Sequence, residues 1–156
     1  KGNVLAAIDL GNHDDQHHVL HDTIVSHAAE ISEMIDGALH LISAHPAPML
    51  SSADPTFQLR ETIACSYQDA SAEYLNKYAI TQDRLHIDEG PADTLIPFVA
   101  NKIGASVTVI GTVGRKGIAG ALIGNTAEVV LDQLNTDVLV LKPDDTLDHL
   151  ESLLEK

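Results

Sequence analysis

Five glycines fall between residues 111 and 124, at 111, 114, 117, 120 and 124, in a stretch that also carries Arg115 and Lys116. Glycine has no Cβ, so such a loop can adopt positive φ and bring backbone N–H groups close to a ligand. Gly124 and Asn125 then lead into a helix, whose first N–H groups lack partners and favour an anion. Phosphate binding is the chemistry this combination suits. It is not a Walker A loop, which needs four residues between its first glycine and a Gly-Lys pair. Nor is it the dinucleotide fingerprint, which needs Gly-x-Gly after a first strand. A second interpretation stays open. Asn125 and Glu128 are three apart, with Asn at the cap, so the pair also suits a capping box with no ligand at all.

Residues 13 to 21 read His-Asp-Asp-Gln-His-His-Val-Leu-His. His17 and His21 would share one helix face, as would His18 with Asp14 or Asp15. Imidazoles and carboxylates are good transition-metal ligands. No cysteine or third fixed ligand joins them, and Asp14 and Asp15 also suit a helix N-terminus. We therefore assign no metal site. No Ser-His-Asp order or paired carboxylates signal catalysis, and His86 and Asp88 read as a turn at the end of a strand. An enzyme is the least supported class.

The elements that must position these residues alternate. Val4 to Asp9 reads as a buried strand, and apolar groups at helical spacing from about 16 to 35 predict a helix stopped by Gly37. A strand over Leu39 to Ala44, a proline-rich loop and a helix over Phe57 to Tyr78 follow. Asp83 to Ile87 is a weak third strand. Pro91 suits the first position of the next helix, which ends at Gly104 and carries Pro97 inside it, where a kink or a loosened bond is expected. Ser106 to Ile110 is a β-branched fourth strand, Asn125 to Leu134 a helix, and Asp137 to Leu141 a fifth strand. This alternation predicts an α/β fold, an open parallel sheet with helices on both faces. Ligands in such sheets bind beyond the strands' carboxyl ends, where the strand order reverses.

A length of 156 residues, 44% of them apolar, suits one globular domain. We place it over residues 1–143, with 144–156 as an acidic C-terminal tail. The net charge of −14 disfavours nucleic acid as a partner. No stretch approaches the ~20 apolar residues that span a bilayer, and no signal-peptide pattern is present, so no membrane is expected. Cys65 is the only cysteine; we expect it to be a small core residue, and a cytoplasmic location fits.

The spacing Gly111-x-x-Gly114, then nine residues, then Gly124, in its place after the fourth strand, resembles the nucleotide-binding motif of the universal stress protein family. The likeness covers about residues 3 to 142. Ile110-Gly-Thr-Val-Gly-Arg together with Gly124-Asn-Thr-Ala-Glu is closest to the tandem-domain, E-type branch, whose members carry two such domains in one chain.

The resemblance implies strand order 3-2-1-4-5, the Rossmann-like arrangement of adenine nucleotide alpha hydrolases, and ATP or AMP as ligand, with magnesium accompanying ATP. It also implies a homodimer, or a pseudo-dimer in a longer parent, through the last strand. By position, Ala7 and Asp9 would lie near base and ribose, and Ala44 would flank the adenine. Ile110 and Gly111 would line the same cleft, and Gly114, Arg115, Gly124, Asn125 and Thr126 would surround the phosphates. The family has Ser or Thr directly after the third glycine. Here it is Asn125, with the Thr126 hydroxyl one position later. The function implied is that of a nucleotide-binding regulatory domain of the bacterial stress response, with at most slow ATP hydrolysis. The alternative is an assembly module whose glycine loop is only structural.

Overall fold

In the computed structural model, which describes residues 2–47, 56–112 and 125–143, strand and helix alternate from the start. β1 (Asn3–Ala7) leads to α1 (Asp15–Met34), β2 (Leu39–His45), α2 (Thr56–Lys77) and β3 (Leu85–Glu89). Then come α3 (Ala92–Lys102), β4 (Ala105–Gly111), α4 (Asn125–Gln133) and β5 (Asp137–Leu141). Every strand pairing is parallel, and the order across the sheet is β3-β2-β1-β4-β5. The expected open, five-stranded parallel sheet is the one observed.

The pleat explains the layers. Side chains alternate between the two faces of a strand. On β1, Val4 and Ala6 point into one core with Leu20, Ile24, Val25 and Ala28 of α1 and Tyr67 and Tyr74 of α2. Leu5 and Ala7 point into the other, with Ile96, Val99 and Ala100 of α3 and Ala127 and Val130 of α4. Helices cover both faces, and β1 is fully buried except at its start. Its neighbours are β2 on one side and β4 on the other, so the strand order reverses at β1.

Several local expectations change. The weak third strand lies two residues later than expected, because Gln82–Arg84 forms a 3-10 turn before it, closed by Arg84 N–H to Thr81 O at 2.9 Å. β1 ends at Ala7, which leaves Asp9 in the turn beyond it. Pro91 caps α3 rather than opening it, and the helix runs on through Pro97. The residue that takes positive φ after α1 is Asp36, at 52°, not Gly37. Cys65 is exposed. The inner face of α2 is set by Tyr67, Ser71 and Tyr74, at spacings of four and three, and Cys65 falls off that stripe. The acidic tail lies outside the described residues.

Candidate functional site

β1 ends first, with β4 running one residue and β2 three residues beyond it. Ala7 pairs with Ile42 on β2 and with Ile110 on β4. Beyond them β1 and β4 diverge, each to its own next helix, and a cleft of about 690 Å³ opens. That volume is within the range of small-molecule sites, about 300–1,000 Å³. Ala7, Asp9, Ala44, Ile110, Gly111 and Thr126 all line it, so six residues assigned from the sequence meet in one place. Gly114, Arg115 and Gly124 lie outside the described residues. Asn125 is the first residue of α4.

Asp9 sits in a turn pinned from several sides. Ile8 N–H donates to Ile42 O at 3.1 Å. Leu10 N–H donates to the buried Ser43 Oγ at 3.1 Å. Gly11 N–H donates to Asp9 Oδ1 at 3.0 Å and Asn12 N–H to Asp9 O at 3.1 Å, closing the turn on its own aspartate. Gly11 has no room for a side chain, since a Cβ there would lie 2.1 Å from the Tyr67 hydroxyl. At Gly111 a Cβ would lie 2.8 Å from Ile24 Cδ1 and 2.9 Å from Leu20 Cδ2, so it would displace the terminal methyls of two α1 side chains. The close approach of α1 to β4 thus favours a small residue there, apart from any ligand.

Three residues reach the cleft that were not assigned to it from the sequence, two of them from the histidine cluster. His17, His21 and Tyr67 all line the cleft. His21 is buried, and its Nε2 accepts the Asp9 N–H at 3.3 Å. Burial pushes its pKa down to about 4, with His17 and His18 adding to the effect and Asp9 opposing it. The Tyr67 hydroxyl is held above its ordinary range by burial and then by the Asp9 charge. Its ring packs on His45, with centroids 5.4 Å apart. The signal for the histidines was present: positions 17, 21, 24 and 28 follow the period of the buried α1 stripe. Tyr67 had no such signal, because the lengths of α2 and of the preceding loop decide where it lands. A second histidine pair, His40 and His86, stacks on the β2–β3 side with centroids 5.4 Å apart. Among the described residues, no group of three or more metal-ligating side chains converges.

Comparison with known proteins extends this picture. A family model described as the universal stress protein family matches residues 2–142. Universal stress protein E of Escherichia coli (strain K12) is 34% identical over 152 residues, covering 92% of this chain and 47% of that protein. The chain therefore spans about half the length of such relatives. A solved structure of a functionally unknown protein from Pseudomonas aeruginosa PAO1 is 55% identical, with TM-score 0.81, covering 97% of this chain and 51% of that one. A universal stress protein solved in complex with cAMP is 20% identical, with TM-score 0.54, covering 91% of this chain and 97% of that one. At that identity the likeness is one of fold.

Proposed function

The chain belongs to the universal stress protein family, and we propose that it serves there as a regulatory domain that binds an adenine nucleotide, ATP or AMP, in the cleft at the carboxyl ends of β1, β2 and β4. One observation carries this function: Ala7, Asp9, Ala44, Ile110, Gly111 and Thr126, distant in sequence, line a single cleft. The complex of a fold relative with cAMP supports an adenine nucleotide as the ligand class.

The division of labour follows from the side chains. The apolar floor, with Ala7, Ile42 and Ile110, suits a base. The exposed Asp9 carboxylate suits ribose hydroxyls as an acceptor. The start of α4, with Thr126 on the cleft, suits the phosphates. Gly114, Arg115, Gly124 and Asn125 are assigned to the same phosphates, with magnesium accompanying ATP. The domain is placed in the bacterial stress response and in the cytoplasm, a location supported by its single cysteine. The described residues include no helix long and apolar enough to cross a membrane. Equilibrium dialysis against ATP and AMP with magnesium tests the assignment. Asp9→Ala should weaken binding about tenfold, the equivalent of about 1.4 kcal/mol for a lost hydrogen bond to a charged group. Equal affinity in parent and variant would move the site elsewhere.

A second role has its own observation. β5 stands at one edge of the sheet, and an edge strand presents unpaired backbone groups. We assign it to self-association, as a homodimer or as a pseudo-dimer with a second domain in a longer parent. The coverage of about half of the E-type relatives supports the latter. This assembly role does not require the cleft to hold nucleotide.

A further inference from the structure

The described lining of the cleft contains no lysine or arginine, in a chain of net charge −14. Two of its side chains can supply positive charge, His17 and His21. His21 is committed elsewhere: its Nε2 accepts the Asp9 N–H, so a proton on that nitrogen would remove this contact with the Asp9 turn. His17 is placed differently. Its side chain is 24% exposed, and Asp14 holds it twice. Asp14 Oδ1 accepts the His17 N–H at 2.9 Å, and Asp14 Oδ2 lies 2.6 Å from His17 Nδ1.

An ionised carboxylate only accepts hydrogen bonds, so Nδ1 carries the proton in that pair. Capping α1 and orienting the ring are thus one act of one side chain. Nε2 is left as the nitrogen that gains the second proton, and among the described residues no hydrogen bond engages it. The ring neighbours His21, with centroids 6.1 Å apart, on the side of α1 that walls the cleft.

We infer that His17, oriented by Asp14, is a phosphate-binding residue of the cleft, donating from Nε2 to an oxyanion of the ligand. This role rests on the cleft taking a phosphate-bearing ligand. Histidine is the side chain that ordinarily changes charge between pH 5 and 8. A proton on Nε2 and a bound oxyanion would each favour the other, so ring protonation and ligand binding should be coupled. The titratable groups that share this surrounding are Asp14, His18 and His21 from α1 and its cap, Asp9 from the β1–α1 turn, and Tyr67 from α2.

The test is NMR titration of the histidine rings in the full chain, alone, with tripolyphosphate and with ATP. Bound polyphosphate should raise the His17 midpoint by about half a pH unit or more, which by reciprocity is about threefold tighter binding to the protonated ring. His17→Gln should bind more weakly, and its pH dependence should fall to that of the ligand's own terminal phosphate. Asp14→Asn should keep the helix cap but shrink the midpoint shift. Tripolyphosphate that moves the midpoint in a protein that fails to bind ATP would support His17 and sink the nucleotide assignment. ATP that binds without moving the His17 midpoint would overturn the role of His17 and leave the nucleotide assignment standing. A midpoint that neither ligand moves would end the inference.

Discussion

His21 belongs to both the core and the cleft, and its charge state is where the two meet. Its pKa is lowered to about 4 from an ordinary 6.5, first by burial. The unfolded chain therefore takes up a proton near pH 6.5 that the folded chain refuses until about pH 4. Folded stability contributed by the neutral ring is full above pH 6.5 and lost as pH falls toward 4. By pH 5 the loss should be about 1 kcal/mol once solvent screening is allowed for. Denaturant unfolding at pH 7 and pH 5 checks this: His21→Gln should lose less stability on acidification than the parent. His40 keeps its own share, since burial holds it at about 4 as well. An equal acid loss in parent and variant would show that His21 titrates normally. At this scale the sequence was informative where a position rule applied. Asp9 lies just past β1 and Gly111 ends β4 at the switch point, and both reach the cleft. Tyr67 was illegible because α2 delivers it from a distance of 58 residues.

Among the elements, β5 carries the clearest consequence. Thr112 N–H donates to Leu141 O at 2.8 Å, so the backbone groups of Leu141 face β4. By alternation those of Val138 and Val140 face the open edge. Val140→Pro should thus remove an outward donor and leave the β4–β5 ladder intact. In sedimentation equilibrium the parent should associate at high micromolar concentration and Val140→Pro should sediment as a folded monomer. A parent that remains monomeric there would refute pairing through β5. The strands were largely legible, because β-branched runs such as Val107 to Ile110 have few other places to go. Errors gathered where neighbouring signals competed. Gly37 looked like the helix stop, yet Asp36 takes the left-handed turn, and Gly37 N–H closes on Ser32 O at 2.8 Å. Asp83 looked like strand, yet the local Thr81–Arg84 turn claims it. Cys65 looked like core because Ile63, Ala64 and Tyr67 surround it in sequence, although a helix points adjacent residues about 100° apart.

For the whole molecule, the central matter is whether an acidic α/β domain binds an anionic nucleotide at all. Net charge of −14 opposes any polyphosphate at long range, and salt weakens that opposition. The proposed binding would therefore have to come from the local geometry where β1 and β4 part. The sheet order was legible only through the family resemblance, because alternation of strand and helix leaves the order of strands open. The cleft followed from that order, since ligands gather where it reverses. The most direct measurement is isothermal titration calorimetry of ATP with magnesium into the 156-residue chain, in buffers of low and physiological salt. A saturable, single-site isotherm in the micromolar range, with AMP competing and Gly124→Val silent, is the predicted result. No binding heat at millimolar ATP in either buffer would contradict the account.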